Sequence, residues 1–272
     1  MNSFSKFNFL SIFSFAIISL ITVRPAYADD TVGFGTIIVD DIKYEATAPS
    51  RWDTQDWKEL GWAGLAVAGT AIFVDRPMRD FMRKQTQGNT FLNDIQNFGQ
   101  SYAFGVMGGF YVVGLAAGSE KTVQVGEDLI TASMISAAIN QTLKVSVNRY
   151  RPRDNKYSDD YQGYTGLNNN SSFPSGHTTE AFTLASVLAN SYEDQPWVAY
   201  GAYSIAGMVG IARMYLDAHW ASDVVASTFI GTWVGKSIVS HNRELRGNKK
   251  NSVSIVPDVA PGYTGVRVEA KF

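Results

Sequence analysis

The 272-residue chain contains no cysteine, so neither a disulfide nor a thiolate metal site can form. Histidine is almost as scarce, with three in all, and charged residues make up only 18%. The carboxylates are scattered, with no cluster able to hold a catalytic metal. Twenty-three Lys and Arg against 25 Asp and Glu leave a formal charge of −2 at pH 7. That balance supplies no basic field for bulk nucleic-acid binding. What is plentiful is apolar material, 45% of residues, enough for the core of one fair-sized domain. No internal repeat is visible.

The first 28 residues read as a secretory signal. Lys6 opens it, Phe9 to Val23 is an uncharged apolar run, and Ala26-Tyr27-Ala28 is a small-x-small cleavage site followed by Asp29-Asp30. Cleavage removes two basic residues and no acid, leaving 21 basic against 25 acidic. The expected destination is the periplasm. Arg24 interrupts the region before the cleavage site, so an uncut anchor is the alternative. Residues 29–52 read as an N-terminal arm with a β-prone run, Thr36 to Val39. Residues 53–245 read as a helical domain and residues 246–272 as a tail.

Asp53 or Thr54 can cap a helix running to about Val74, and Asp75-Arg76-Pro77 breaks it and starts another. Helical text also covers 90–98, 102–118, 127–150, 177–191, about 196–213 and 219–240. The helix at 127–150 is expected to end at Arg151-Pro152, because a residue before Pro is pushed out of the helical region. Residues 153–172 are polar and rich in Gly and Asn, a long loop of the kind that often serves function. In the tail, Val266 to Phe272 alternates apolar and charged residues at period two. Ser252–Val256 is a plausible partner, and the arm at 36–39 could add to the same sheet. The fold class is therefore all-α: a helical bundle of about six main helices with the active site at helix ends, plus a small peripheral β-hairpin from the C-terminal tail.

Five windows carry no charge, but only Ile95–Ser119 and Gln195–Ala212 approach the roughly 20 residues that a membrane span needs. Mean hydropathy is −0.08. A soluble bundle with very apolar central helices is expected, and a membrane-embedded or envelope-associated chain is the alternative.

Three short pieces carry the chemistry. Lys144 and Arg151 are seven apart, which on a helix returns both to one face. Pro174-Ser175-Gly176-His177 opens a helix, where unpaired N–H groups attract an anion and Ser175 adds a hydroxyl; the bland alternative is Ser175 as an ordinary N-cap. His219 and Asp223 are four apart, facing the same way on a helix, with Arg213 just upstream. A carboxylate bonded to one ring nitrogen fixes the tautomer and makes the other nitrogen a better nucleophile. Together these supply cations for the equatorial oxygens of a phosphoryl group in transit, a nucleophile and an acid. Glu180 and His241 lack such companions and read as solvated residues.

The order Lys-x6-Arg-Pro, Pro-Ser-Gly-His, then Arg-x5-His-x3-Asp resembles the signature of the type 2 phosphatidic acid phosphatase superfamily. That group includes bacterial class A acid phosphatases, membrane lipid phosphatases and vanadium haloperoxidases. One departure is Ala212, where the family usually has Ser. The resemblance implies that His219 forms a phosphohistidine with Asp223 orienting it, and that His177 protonates the leaving alcohol. It implies that Lys144, Arg151, Ser175, Gly176 and Arg213 bind the phosphate, with no metal and no cofactor. The implied partner is a small-molecule or lipid phosphate, with no nucleic acid and an expected association with a membrane surface. Vanadate is expected as an inhibitor, and becomes prosthetic only if the chain is a haloperoxidase. A non-catalytic envelope protein with a relic site is the remaining alternative. Tyr157, Tyr161 and Tyr164 are expected to line the entrance to the site.

Overall fold

The structure is a computed structural model that describes residues 34–85, 88–154, 157–162, 171–250, 253–260 and 263–270. The signal-like segment and Tyr164 lie outside the described residues. The chain divides into two compact units, Asp41–Asn242 and a smaller one made of Met1–Asp40 and Arg243–Phe272.

The arm opens with helix α1, Phe34–Ala46, where a β-prone run was expected. Its buried positions are Phe34, Ile37, Asp41 and Glu45. That three-to-four-residue period falls on one side only in a helix. Burial along this stripe overrides the strand preference of Thr36 to Val39, and no strand remains there to join the tail.

Helix α2, Thr54–Phe73, begins at a capping box. The Asp53 carboxylate accepts from the Gln55 and Asp56 amides at 2.6 and 2.9 Å, and the Asp53 amide donates to Asp56 at 2.9 Å. Val74 breaks the run, and α3, Asp75–Arg83, restarts with Pro77 in its first turn. Helix α4, Thr90–Ile95, tightens into a 3-10 turn, Gln96–Gly99. Helix α5, Ser101–Ala117, ends on left-handed Gly118. Then follow α6, Glu120–Val147; α7, Gly176–Ser191; α8, Pro196–Tyr215; and α9, Ala221–Lys250. Helix α6 stops short of the expected Pro152. Asn148 takes a left-handed conformation (φ 46°), with its amide donating to the Lys144 carbonyl at 3.0 Å.

Helix α7 is the central element of the larger unit and packs against both α6 and α8. Ala181 and Ala185 on α7 meet Ala206 and Val209 on α8, with Phe98 and Tyr203 alongside. On another side α9 comes within backbone contact. A Cβ at Gly231 would lie 2.8 Å from the Thr183 nitrogen, and one at Gly235 would lie 2.6 Å from the Ser186 Cβ. Small residues one turn apart let the helices close to this distance.

Helix α2 buries none of its side chains. Trp62, Leu65, Ile72 and Phe73 are 70, 63, 72 and 75% exposed. Among the described residues no helix is long and apolar enough to cross a membrane. In the smaller unit, β1 (Val253–Ala260) and β2 (Tyr263–Ala270) pair antiparallel, with Val253 opposite Ala270 and Ala260 opposite Tyr263. Among the described residues the fold is thus all-α apart from this hairpin.

Candidate active site

The three sequence pieces converge where α6 ends and α7 and α9 begin. Because α6 ends at Val147, Lys144 and Arg151 do not share a helix face as the spacing suggested. They meet across the loop instead. Lys144 Nζ donates to the carbonyls of Ser171 and Pro174 at 3.0 and 2.8 Å, and an Arg151 terminal nitrogen donates to the same Ser171 carbonyl at 3.2 Å. Residues 148–150 are held in place by backbone bonds on two sides. The Gln162 amide donates to Asn148 at 2.9 Å, and the Ser172 amide donates to Arg149 at 2.8 Å. The described ends of the long loop, at Gln162 and Ser172, therefore fold back on the segment that carries Arg151.

His219 is almost fully buried, at 4% exposure, and precedes α9 rather than lying on it. Its Nδ1 lies 2.6 Å from the Ser172 carbonyl and its Nε2 lies 3.4 Å from an Arg151 terminal nitrogen. A carbonyl only accepts and a guanidinium only donates. Nδ1 therefore carries the proton, and the Nε2 lone pair faces the cations. Asp223 is not the direct partner expected from the spacing, since its nearer oxygen is 3.8 Å from Nδ1. It accepts instead from the Trp220 amide at 2.8 Å, from the Ser172 hydroxyl, and from Arg149 at 2.6 Å. Asp223 acts on the ring through Ser172. The physical reason is the helix start: Asp223 lies in the first turn of α9, with its carboxylate turned back to the backbone.

Ser175 is the N-cap of α7, accepting from the Thr178 amide at 3.4 Å, with its hydroxyl 2.9 Å from that of Thr178. The ordinary capping role is thus occupied. Gly176 and His177 form the first turn of α7, where N–H groups have no intrahelical acceptor. Arg213, near the end of α8, donates one terminal nitrogen to the Gln96 side chain, while its buried Nε has no partner among the described residues. Gly99, in the same 3-10 turn as Gln96, presses on His177. A Cβ there would lie 2.6 Å from the His177 carbonyl carbon.

The electrostatics tie these groups together. Burial, then Arg213, Arg151 and Lys144, push His177 down to about 3. Burial and the same three cations hold His219 well below the usual imidazole range. Burial first and Arg151 next bring Lys144 down to about 8. Arg213 falls to about 10 through burial and its Arg151 and Arg153 neighbours. The cup is an excess of positive charge that an oxyanion would relieve.

A sequence model of the PAP2 superfamily matches residues 128–245. That match spans 118 of the 272 residues and includes the Lys144, His177 and His219 pieces. A lipid A 1-phosphatase of Porphyromonas gingivalis is 39% identical over 66 residues, which are 24% of this chain and 15% of that protein. The chain thus matches well under a fifth of the length of that relative. A transmembrane PAP2-type phosphatidylglycerolphosphate phosphatase from Bacillus subtilis has a TM-score of 0.48 at 20% identity, covering 76% of this chain and 96% of that one. Aquifex aeolicus LpxE has a TM-score of 0.47 at 24% identity, covering 61% and 93%.

Several residues of the site were not expected from the sequence. Arg149 is 3% exposed and joins Asp75 and Asp223, each at 2.6 Å. Ser171 and Ser172 supply the carbonyls that hold Lys144, Arg151 and His219. Gln96 braces Arg213. The only available signal was the crowding of Arg149 and Arg151 into one short stretch. Two residues read as solvated are partly buried and have partners. Glu180 accepts from the Ser133 hydroxyl at 2.7 Å, and burial raises it to about 7. His241 stacks on Tyr44 with ring centroids 3.7 Å apart. Tyr157 and Tyr161 are 63 and 57% exposed. Ala212 is fully buried.

Proposed function

We propose that the chain is a phosphatase acting on lipid phosphates through a phosphohistidine at His219, with the positive charge supplied by its own side chains. The observation that carries this reading is the orientation of His219. Its Nδ1–H is fixed on the Ser172 carbonyl, and its Nε2 lone pair faces the side on which Arg151 stands. In the first step Nε2 forms a bond to phosphorus while the bond to the leaving oxygen breaks. Lys144, Arg151, Arg213 and the first-turn amides of α7 stabilise the equatorial oxygens. His177 gives a proton to the leaving oxygen. In the second step His177 takes a proton from water, the water oxygen bonds to phosphorus, and the N–P bond returns its electron pair to Nε2. His177 is neutral in the empty cup, and the negative charge of a bound phosphate is what allows it to carry a proton.

Two features favour a lipid over a soluble ester. The first is the number of large apolar side chains left exposed: those of α2, Val112 and Val113 on α5, and Trp197 and Tyr200 on α8. Such side chains suit seating against a lipid surface. The second is a groove of about 860 Å³ lined by Leu60, Val67, Phe173, Phe229 and Ile230, an apolar volume that suits an acyl chain. Phe173 lies between Ser172 and Pro174 of the cup. After loss of residues 1–28, the protein would work on the periplasmic side, against a membrane.

The test is hydrolysis of p-nitrophenyl phosphate and of a lipid phosphate in detergent micelles. His219→Ala is expected to lose at least 10³-fold in kcat on both, roughly the cost of removing a covalent nucleophile, and vanadate is expected to compete with substrate. A His219→Ala protein that keeps most of its rate, or a parent indifferent to vanadate, rejects the mechanism. A parent with no preference for the lipid rejects the substrate class alone.

A further inference from the structure

Helix α3 lies outside the matched PAP2 segment, yet three of its side chains, each four residues apart, reach the loops around the nucleophile. Arg83 donates to the Pro152 carbonyl at 2.7 Å and to Asp217 at 2.6 Å. The Arg79 guanidinium lies 5.4 Å from the centre of the Trp220 ring. Asp75 goes deepest. One oxygen accepts from the Ser222 amide at 2.8 Å, and the other accepts from the Ser222 hydroxyl at 2.7 Å and from Arg149 at 2.6 Å. Asp75 is 1% exposed.

From Asp75 a continuous polar chain runs to the reacting ring. Arg149 bridges Asp75 and Asp223; Asp223 accepts the Ser172 hydroxyl; and the Ser172 carbonyl holds His219 Nδ1. Each acceptor of Asp75 is used, and so is the Arg149 fork, whose Nε also donates to the Ser158 carbonyl at 2.7 Å. Two buried carboxylates against one guanidinium leave a surplus negative charge behind the imidazole. In front of it stand three cations. Phosphorylation of Nε2 while Nδ1 keeps its proton gives the ring a positive charge. The cations oppose that charge and the surplus carboxylate offsets it.

We infer that Asp75 is a positioning residue for phosphoryl transfer: through Arg149 and Ser222 it holds the Asp223–Ser172 pair on His219 and keeps the negative charge that the phosphorylated ring requires. This rests on the phosphohistidine reading above. Asp75 touches no substrate, so its effect belongs to the intermediate and the transition state rather than to substrate capture.

The experiment compares Asp75→Asn with the parent for kcat, KM, the vanadate inhibition constant and the thermal midpoint. Asn keeps the size of the side chain and removes its charge. Expected is a kcat loss of roughly 10- to 100-fold, the effect of one uncompensated charge close to a dry reacting centre. KM should stay within about threefold, and vanadate, which bonds to the same ring nitrogen, should weaken in step with kcat. Asp75→Glu, which restores the charge, is expected to recover part of both. A merely structural role predicts a lower thermal midpoint with kcat and vanadate affinity unchanged per folded molecule, and that result overturns the inference. So does a rise in KM alone. If His219→Ala remains active, the phosphohistidine reading itself falls; if His219→Ala is dead while Asp75→Asn matches the parent, only this inference falls.

Discussion

Lys144 offers the sharpest test of the cup, because its ammonium is held where it is weakest. Burial and the neighbouring Arg151 bring it from its ordinary 10.5 down to about 8. In the empty site it is therefore charged below about pH 8 and neutral above. A bound phosphate dianion restores the charge and returns the group to its ordinary range or beyond. Affinity should then fall tenfold for each pH unit above 8, because a proton must be taken up before binding. The span from about 8 to 10.5 allows roughly a 300-fold loss. The assay is kcat/KM from pH 6 to 10 on a substrate already fully ionised over that range. Because neutral His177 must take up a proton in the complex, the parent should already fall about tenfold per pH unit, and should bend into a steeper limb with a midpoint near 8 as Lys144 loses its charge. Lys144→Arg, charged throughout, should move that limb upward by more than one pH unit. Lys144→Met should remove it while lowering the whole profile by 100-fold or more, the loss of one charge-assisted contact in a dry site. A parent with no limb near 8, or a limb that Lys144→Arg leaves in place, refutes the reading of Lys144 as a phosphate ligand.

Two further outcomes follow from packing and linkage. Gly99→Ala places a methyl group against the His177 backbone. Backbone cannot swing aside, so activity should drop at least tenfold with about 1–3 kcal/mol of lost stability, read by denaturant titration. Asp41, fully buried, is raised by burial from 3.8 to about 6, with Asn242 donating to it at 3.1 Å. The protonated form suits the fold, so this stabilisation is complete below 3.8 and lost as pH rises through 6. Asp41→Asn should therefore gain about 3 kcal/mol at pH 8 and nothing at pH 3.5, measured as a pH-dependent shift of the thermal midpoint.

Local chemistry was legible in the sequence wherever a residue acts on its near neighbours. Asp53 capped α2, Pro77 restarted the chain at α3, and Gly176 opened α7, because capping and turn preferences are settled within a few residues. The three motifs also named the groups that converge, since a phosphoryl group demands those side chains whatever the scaffold. Residue preference misled where tertiary burial decided: Thr36 to Val39 carries strand-forming residues, yet the stripe from Phe34 to Glu45 is buried as a helix.

Only the tertiary structure decided how the pieces face one another. Spacing placed Lys144 with Arg151 on one helix and Asp223 against His219. Left-handed Asn148 ended that helix early, and the late start of α9 turned Asp223 back to the backbone. The contacts that took their place join residues 47 to 147 positions apart, from His219 on the Ser172 carbonyl to Asp75 on Ser222 and Arg149. No local preference encodes such pairs. They form because burying a charge or a donor is costly until a partner arrives, and which partner arrives is set by the packing of helices far apart in the chain.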